Sequence, residues 1–260
     1  MLSLQERLNI HWMMNDSMSN ISLTSPKTLN LHSIATWMSN HLFKIFLVVY
    51  GIWVIIPWFA PLMMKLGWTS SGDTIYFMYS FFCHQLPQRS FFIFGEQSMY
   101  PLSEIQIVWQ NTTNPMILRQ FIGNSTMGWK VAWSDRMISF YTSIWVFALI
   151  FYWLRNKIKG ISLWTALLLL LPIILDGGTH TLSDLAGIGN GFRDSNLWLV
   201  QVTNNSFSQN FYSGDGLGSF NSWARWITGT LAGLAIIWLV VPNIFEIQTL
   251  NKKLDQLSFE

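Results

Sequence analysis

The sequence predicts an all-α membrane protein with four transmembrane helices, and three observations predict it. Charged residues are 11% of the 260 and aromatic residues 16%, whereas roughly a quarter of a soluble chain is charged. Residues 42–64 (LFKIFLVVYGIWVIIPWFAPLMM) and 226–245 (WITGTLAGLAIIWLVVPNIF) each supply the about 20 apolar residues that a hydrocarbon core of about 30 Å demands. A further pair of apolar runs, residues 137–154 and 161–175, is joined by Arg155-Asn156-Lys157-Ile158-Lys159-Gly160. So short a connection makes that pair an antiparallel hairpin.

In chain order, residues 1–41 read as a cytoplasmic N-terminal segment and 42–246 as the four-helix membrane domain, with outer loops 65–136 and 176–225. Residues 247–260 read as a cytoplasmic amphipathic tail, because Ile247, Leu250, Leu254 and Leu257 recur at helical spacing. The first residues lack a basic stretch followed by a continuous apolar one, so the first span is expected to act as the insertion signal. Ser25-Pro26 has the form of a helix N-cap followed by proline at the first helical position. Orientation follows from basic residues near the span ends: Lys44, the Arg155–Lys157–Lys159 turn, and Lys252 with Lys253 all fall on one side, the cytoplasm of a cell membrane.

The aromatic segment around 74–94, broken by CHQLPQRS, is expected to be a helix lying on the membrane surface or a re-entrant one entering from outside. The run 161–175 is short for a span and borrows a turn at one end, yet Gly177 and Gly178 argue that helix does not continue smoothly past Asp176. Gly229 and Gly233 form a GxxxG in the last span. It lets another helix approach closely, either within the bundle or from a second copy in a homo-oligomer.

Composition narrows function mainly by exclusion. A formal net charge of +2 with scattered Lys and Arg provides no basic stripe for nucleic acid, so the expected partners are the bilayer and a second copy through Gly229 and Gly233. A single cysteine, Cys83, excludes an internal disulfide and a cysteine-only metal site. The candidate site residues gather at the outer face. They are Cys83, His84 and Arg89; Arg136 at the entry of its span; Asp176 and His180 at the end of the next; Arg193 and Asp194; and Arg225. If helix ran on through the glycines, Asp176, His180 and Asp184 would share a face, a geometry suited to a divalent cation or a proton relay. With His84 these are the metal-ligand candidates, and no cofactor is named by the sequence. Each residue also has a plain structural role open to it: a packed histidine, an interfacial cap, or an arginine reaching for headgroups.

Five ordered motifs resemble an uncharacterised prokaryotic family of membrane proteins, domain of unknown function 2085. The family pattern is CHQxPxRSF, CxRDxxIYxG, a span ending in DGxTQ, RxSN, and RxxTG. The matching stretches here start at Cys83, Ser134, Asp176, Arg193 and Arg225, and Tyr141 falls on the tyrosine of the second motif. The pattern's second cysteine is Ser134 here, its aspartate after the arginine is Met137, and its glutamine is His180. A cysteine pair implied by the resemblance therefore cannot operate within this chain. The resemblance implies no activity.

The expected function is an integral membrane protein whose outer-face Arg/Asp/His cluster is structural or binds an anionic ligand or metal. An outer-leaflet enzyme acting on a lipid-linked or phosphate-bearing substrate is the alternative, with His84 or His180 as acid or base. An oligomeric transporter or channel is the second alternative.

Overall fold

The computed structural model describes residues 31–155 and 157–257, with side chains from residue 41 to 246. The expected cap at Ser25-Pro26, the sequence before residue 31, and the side chains of the 247–260 tail lie outside the described residues. Residues 31–45 open helix α1 (Leu31–Ile55). From Phe46 onward the chain forms one compact unit.

Pro57 and Pro61 lie in the first span, where each lacks an N–H and crowds the preceding turn. The chain answers by tightening into a 3-10 turn at Ile56–Trp58 before helix resumes as α2 (Phe59–Lys65). α3 (Thr69–Tyr79) turns back, and a tight segment carrying Cys83 to Arg89 leads into strand β1 (Ser90–Ile93). Short helices α4 (Leu102–Val108) and α5 (Pro115–Leu118) precede strands β2 (Gly123–Asn124) and β3 (Gly128–Ser134). β3 runs directly into α6 (Asp135–Leu154), and α7 (Leu163–Asp184) returns across the bundle. The small helices α8 (Phe192–Ser195), α9 (Leu197–Val202) and α10 (Gln209–Tyr212) lead to α11 (Phe220–Leu257).

Four helical stretches are long and apolar enough to cross a membrane: His41–Lys65, Asp135–Leu154, Leu163–Asp184 and Phe220–Glu246. These are the four spans expected, and the fold is predominantly helical. Their outward faces expose Val48, Val49 and Ile52 on α1, and Leu167, Leu168, Leu171 and Ile174 on α7. Such continuous apolar faces are a liability in water and match a lipid surround.

α11 packs along both α6 and α7, and its GxxxG explains how closely. A Cβ built on Gly229 would lie 2.1 Å from Ser139 Oγ, and one on Gly233 would lie 2.0 Å from Ser143 Oγ. Ser139 and Ser143 in turn donate to backbone carbonyls of α11, at Arg225 and Gly229. The glycine face is thus filled by α6 of the same chain.

Four crossings put residues 66–134 and 185–219 at the same end of the bundle, where they form a cap. Its centre is an antiparallel sheet of order β1-β3-β2, with Ser90 opposite Ser134 and Gly123 opposite Trp129. One apolar cluster (Ala60, Tyr76, Tyr79, Cys83, Val131, Trp133, Ile138) ties α2 and α3 to β3 and α6. A second, built around Leu86, Phe92, Ile105, Leu118 and Ile188, fills the cap itself.

Two expectations about helix extent need correction. The segment 74–94 is not one interfacial or re-entrant helix: α3 ends at Tyr79, Gln85 adopts φ 53°, and residues 90–93 are strand. Conversely, α7 does not break at Gly177 and Gly178 but runs unbroken to Asp184. Two helix-interior glycines cost about 2 kcal/mol together. Contacts that a free helix lacks offset that cost: Asp176 and Asp184 are anchored by arginines from elsewhere. Tertiary ion pairs outweigh local propensity.

Candidate functional site

Because α7 continues, Asp176, His180 and Asp184 stand on one helical face, turned toward the cap and toward the first turns of α6 and α11. Asp135 and Arg136 open α6, where the Asp135 carboxylate accepts from the Arg136 backbone N–H at 2.8 Å. Arg225 lies one turn into α11. Arg89 comes from the 3-10 turn after Pro87, Arg193 from α8, and Asp215 from the glycine-rich loop before α11.

These residues form one network of ion pairs. Arg89 makes a bidentate contact with Asp184, Nη1 and Nη2 at 2.7 and 2.8 Å, and its Nε reaches Asp215 at 2.7 Å. Asp215 is also held by Arg225 Nη1 at 2.7 Å, and Arg225 Nε lies 2.8 Å from both oxygens of Asp135. In a second group, Asp176 receives Arg136 Nη2 on one oxygen at 2.8 Å and Arg193 Nη2 on the other at 2.7 Å. Four arginines therefore meet four aspartates, mostly out of water, where such pairing is the condition for burying charge at all. Burial alone would raise the Asp215 carboxyl, but the Arg89 and Arg225 guanidiniums overcome it and hold that group well below the usual carboxylate range. For Arg89 burial works downward, and Asp215 with Asp184 turns the balance upward.

His180 bridges the two groups. Its Nδ1 lies 3.1 Å from the Asp176 carbonyl and 3.4 Å from the Asp176 carboxylate, while Nε2 lies 3.4 Å from Arg225 Nη1. Nε2 also lies 3.8 Å from the Asp215 carboxylate. Both nitrogens are engaged, which suits a bridging role better than that of a proton acceptor open to substrate.

Beside the network is a cavity of about 310 Å³. Arg89, Arg136, Arg225, His84 and His180 line it together with Asp184, while Leu86, Pro115, Met137 and Leu185 supply an apolar side. Leu185, which follows the last residue of α7, is 80% exposed. Arg136 gives one terminal nitrogen to Asp176, and its Nε is buried without a partner. Arg193 Nε is in the same condition.

Of the residues singled out in the sequence, His84, Arg89, Arg136, His180 and Arg225 line this cavity, and Asp176 and Arg193 hold it from behind. Three stand elsewhere. Cys83 is buried, its Sγ 3.4 Å from Ser134 Oγ. Tyr141 packs in an aromatic cluster, with ring centroids 4.7 Å from Trp53 and 4.6 Å from Trp133. Asp194 accepts from the Gly191 N–H at the start of α8 and pairs with none of the four arginines. Asp135 and Asp215 pair with the arginines instead, and neither is apparent from sequence. Asp135 sits at a variable place inside a motif, and Asp215 is one acid among Ser213-Gly214-Asp215-Gly216; its only signal is the glycines, which set a loop to deliver it. Among the described residues, no three His, Cys, Asp or Glu side chains are placed to hold a metal ion together.

Four apolar spans beneath a folded polar cap define a multi-pass helical membrane protein. Residues 123–239 match the family model described as Predicted membrane protein (DUF2085), the same family that the motifs resemble. The matched stretch takes in the motifs from Ser134 onward; the Cys83–Phe91 motif precedes it. An uncharacterised protein of Methanocaldococcus jannaschii is 25% identical over 211 residues, covering 78% of this chain and 93% of the relative. No solved structure matches.

Proposed function

We propose that this integral membrane protein binds an anionic group, a phosphate-bearing headgroup, in the cavity where cap meets bundle. The carrying observation is Arg136: it lines the cavity, its Nε is buried without a partner, and the arginines beside it are already matched to carboxylates. A buried donor left unpaired costs about 1–3 kcal/mol, more when charged, and an oxyanion accepting from Nε would remove that cost. His84 would supply a further donor, and the apolar side beside Leu185 would receive the start of an acyl chain. In this reading the cap lies outside the cell membrane and both chain ends lie in the cytoplasm, as the basic turn at Arg155, Lys157 and Lys159 supports. His180, with both nitrogens engaged, favours binding over acid-base catalysis.

Thermal unfolding in a polyoxyethylene-ether detergent, which carries no phosphate, tests the proposal. Stabilisation on adding phosphatidylglycerol, absent in Arg136→Gln, supports a lipid headgroup. Stabilisation by inorganic phosphate alone would move the ligand to a soluble phosphate. If neither anion shifts the midpoint, the proposal fails.

A further inference from the structure

A second, larger cavity of about 780 Å³ lies on the other side of the Arg89–Asp215 ion pair, within the cap. Its walls come from the segment around Gln97 to Gln106, from Ile188 and Gly189, and from the loop Asn210 to Leu217. No lysine, arginine or histidine lines it. Its polar groups are amides, serine hydroxyls, and the carboxylates of Glu104, Asp194 and Asp215. Asp215 is already matched to Arg89 and Arg225, which leaves Glu104 and Asp194 as the acids a ligand would meet.

The observation that points to a ligand is Gln88. This side chain is 2% exposed and lines the cavity, yet neither its Nε2 nor its Oε1 has a partner. Buried amides are paired in the great majority of cases, so a donor and an acceptor both left open mark a place that something else completes. The neighbouring arginine and serine, Arg89 and Ser90, are by contrast fully engaged in the network and the sheet.

The chemistry of the walls selects the occupant. An anion would be repelled by Glu104 and Asp194 and could give nothing to Gln88 Oε1. An ammonium would meet the carboxylates but could accept nothing from Gln88 Nε2. Hydroxyl groups do both, donating to carboxylate and amide oxygens and accepting from amide N–H. Vicinal hydroxyls on a compact ring also suit a cavity in the range that small-molecule sites occupy, roughly 300–1,000 Å³. We infer that the cap cavity is a binding site for a neutral saccharide, a free sugar or the sugar of a larger molecule. The site is independent of the anion site proposed above, because it rests on Gln88 and not on Arg136.

Saturation-transfer NMR on the full chain in a detergent without a sugar headgroup tests this, with glucose, galactose, mannose and N-acetylglucosamine as probes and maltose as the arm for an extended glycan. The expected result is saturable transfer to at least one sugar, lost in Gln88→Met, with inorganic phosphate unable to compete. Should Gln88→Met fail to fold, Asn210→Ala on the rim serves in its place and should weaken the same signal. No transfer to any of the five sugars overturns the inference, as does transfer that Gln88→Met and Asn210→Ala both leave unchanged. Preference for a short uncharged peptide over every sugar would overturn it too.

Discussion

Lys130 shows how one residue can set a pH response. It is fully buried in β3, and its Nζ donates at 2.7 Å to the carbonyls of Gln85 and Arg119. A neutral amine has two N–H groups, so these two bonds satisfy it completely. Burial pushes its pKa down to about 7, with Arg119 acting in the same direction. The unfolded chain holds that proton up to about pH 10.5, and so binds more protons than the folded chain between the two values. Stability should therefore rise with pH from about 7 toward 10.5. Unfolding midpoints across that range should show the rise in the wild type and lose it in Lys130→Met. Cys83 gives a second test at this scale. Its Sγ lies 3.4 Å from Ser134 Oγ across 51 residues of chain, so Ser134→Cys should form a disulfide on mild oxidation, visible as a faster band without reductant. Closing a loop of that length stabilises by up to about 4 kcal/mol in the chain-entropy account. The motif pattern pointed to this pairing of positions; that they touch could be learned only from the strand register that sets Ser90 opposite Ser134.

At the level of elements, the helical glycines fall into two kinds that look alike in sequence. Gly229 and Gly233 sit where α11 meets α6, and Gly229→Leu would drive its Cβ into Ser139 and the backbone at Phe140. That should destabilise by about 1–3 kcal/mol or more. Gly178 in α7 has nothing within 4 Å of its Cβ position, so Gly178→Ala should stabilise by about 1 kcal/mol through helix propensity. Thermal unfolding of the two variants in one detergent should move in opposite directions. The spans themselves were legible, because about twenty apolar residues in a row have few other uses. The extension of α7 was not: its glycines argue locally against helix, and the partners that hold it, Arg89, Arg136 and Arg193, arrive from other segments. The cap sheet was hidden for a related reason, since β1 and β3 pair across more than thirty intervening residues.

Over the whole molecule, the site was legible as a set of residue types and illegible as a circuit. Arg89, Arg136, Arg193 and Arg225 stood out because arginine at a membrane boundary needs a reason, while Asp135 and Asp215 read as ordinary loop or cap acids until the fold brought Arg225 between them. Removing that link should be severe. Arg225→Met leaves two carboxylates facing one another without their shared cation, and a broken buried pair costs about 3–5 kcal/mol; loss of folded yield in detergent would register it. Acid should act on the same group. Asp215, held low by its arginines, contributes its stability above the ordinary carboxylate value of 3.8 and loses it as the pH falls below that value. The circuit also has a direction in time. Its eight charges come from six stretches of chain, and the last to leave the ribosome, Arg225, lies at the head of the final span. Until that helix enters the bilayer, Asp135 and part of Asp215 have no counter-charge. A nascent chain stopped before residue 220 therefore leaves Asp135 without the cation that the finished chain sets beside it.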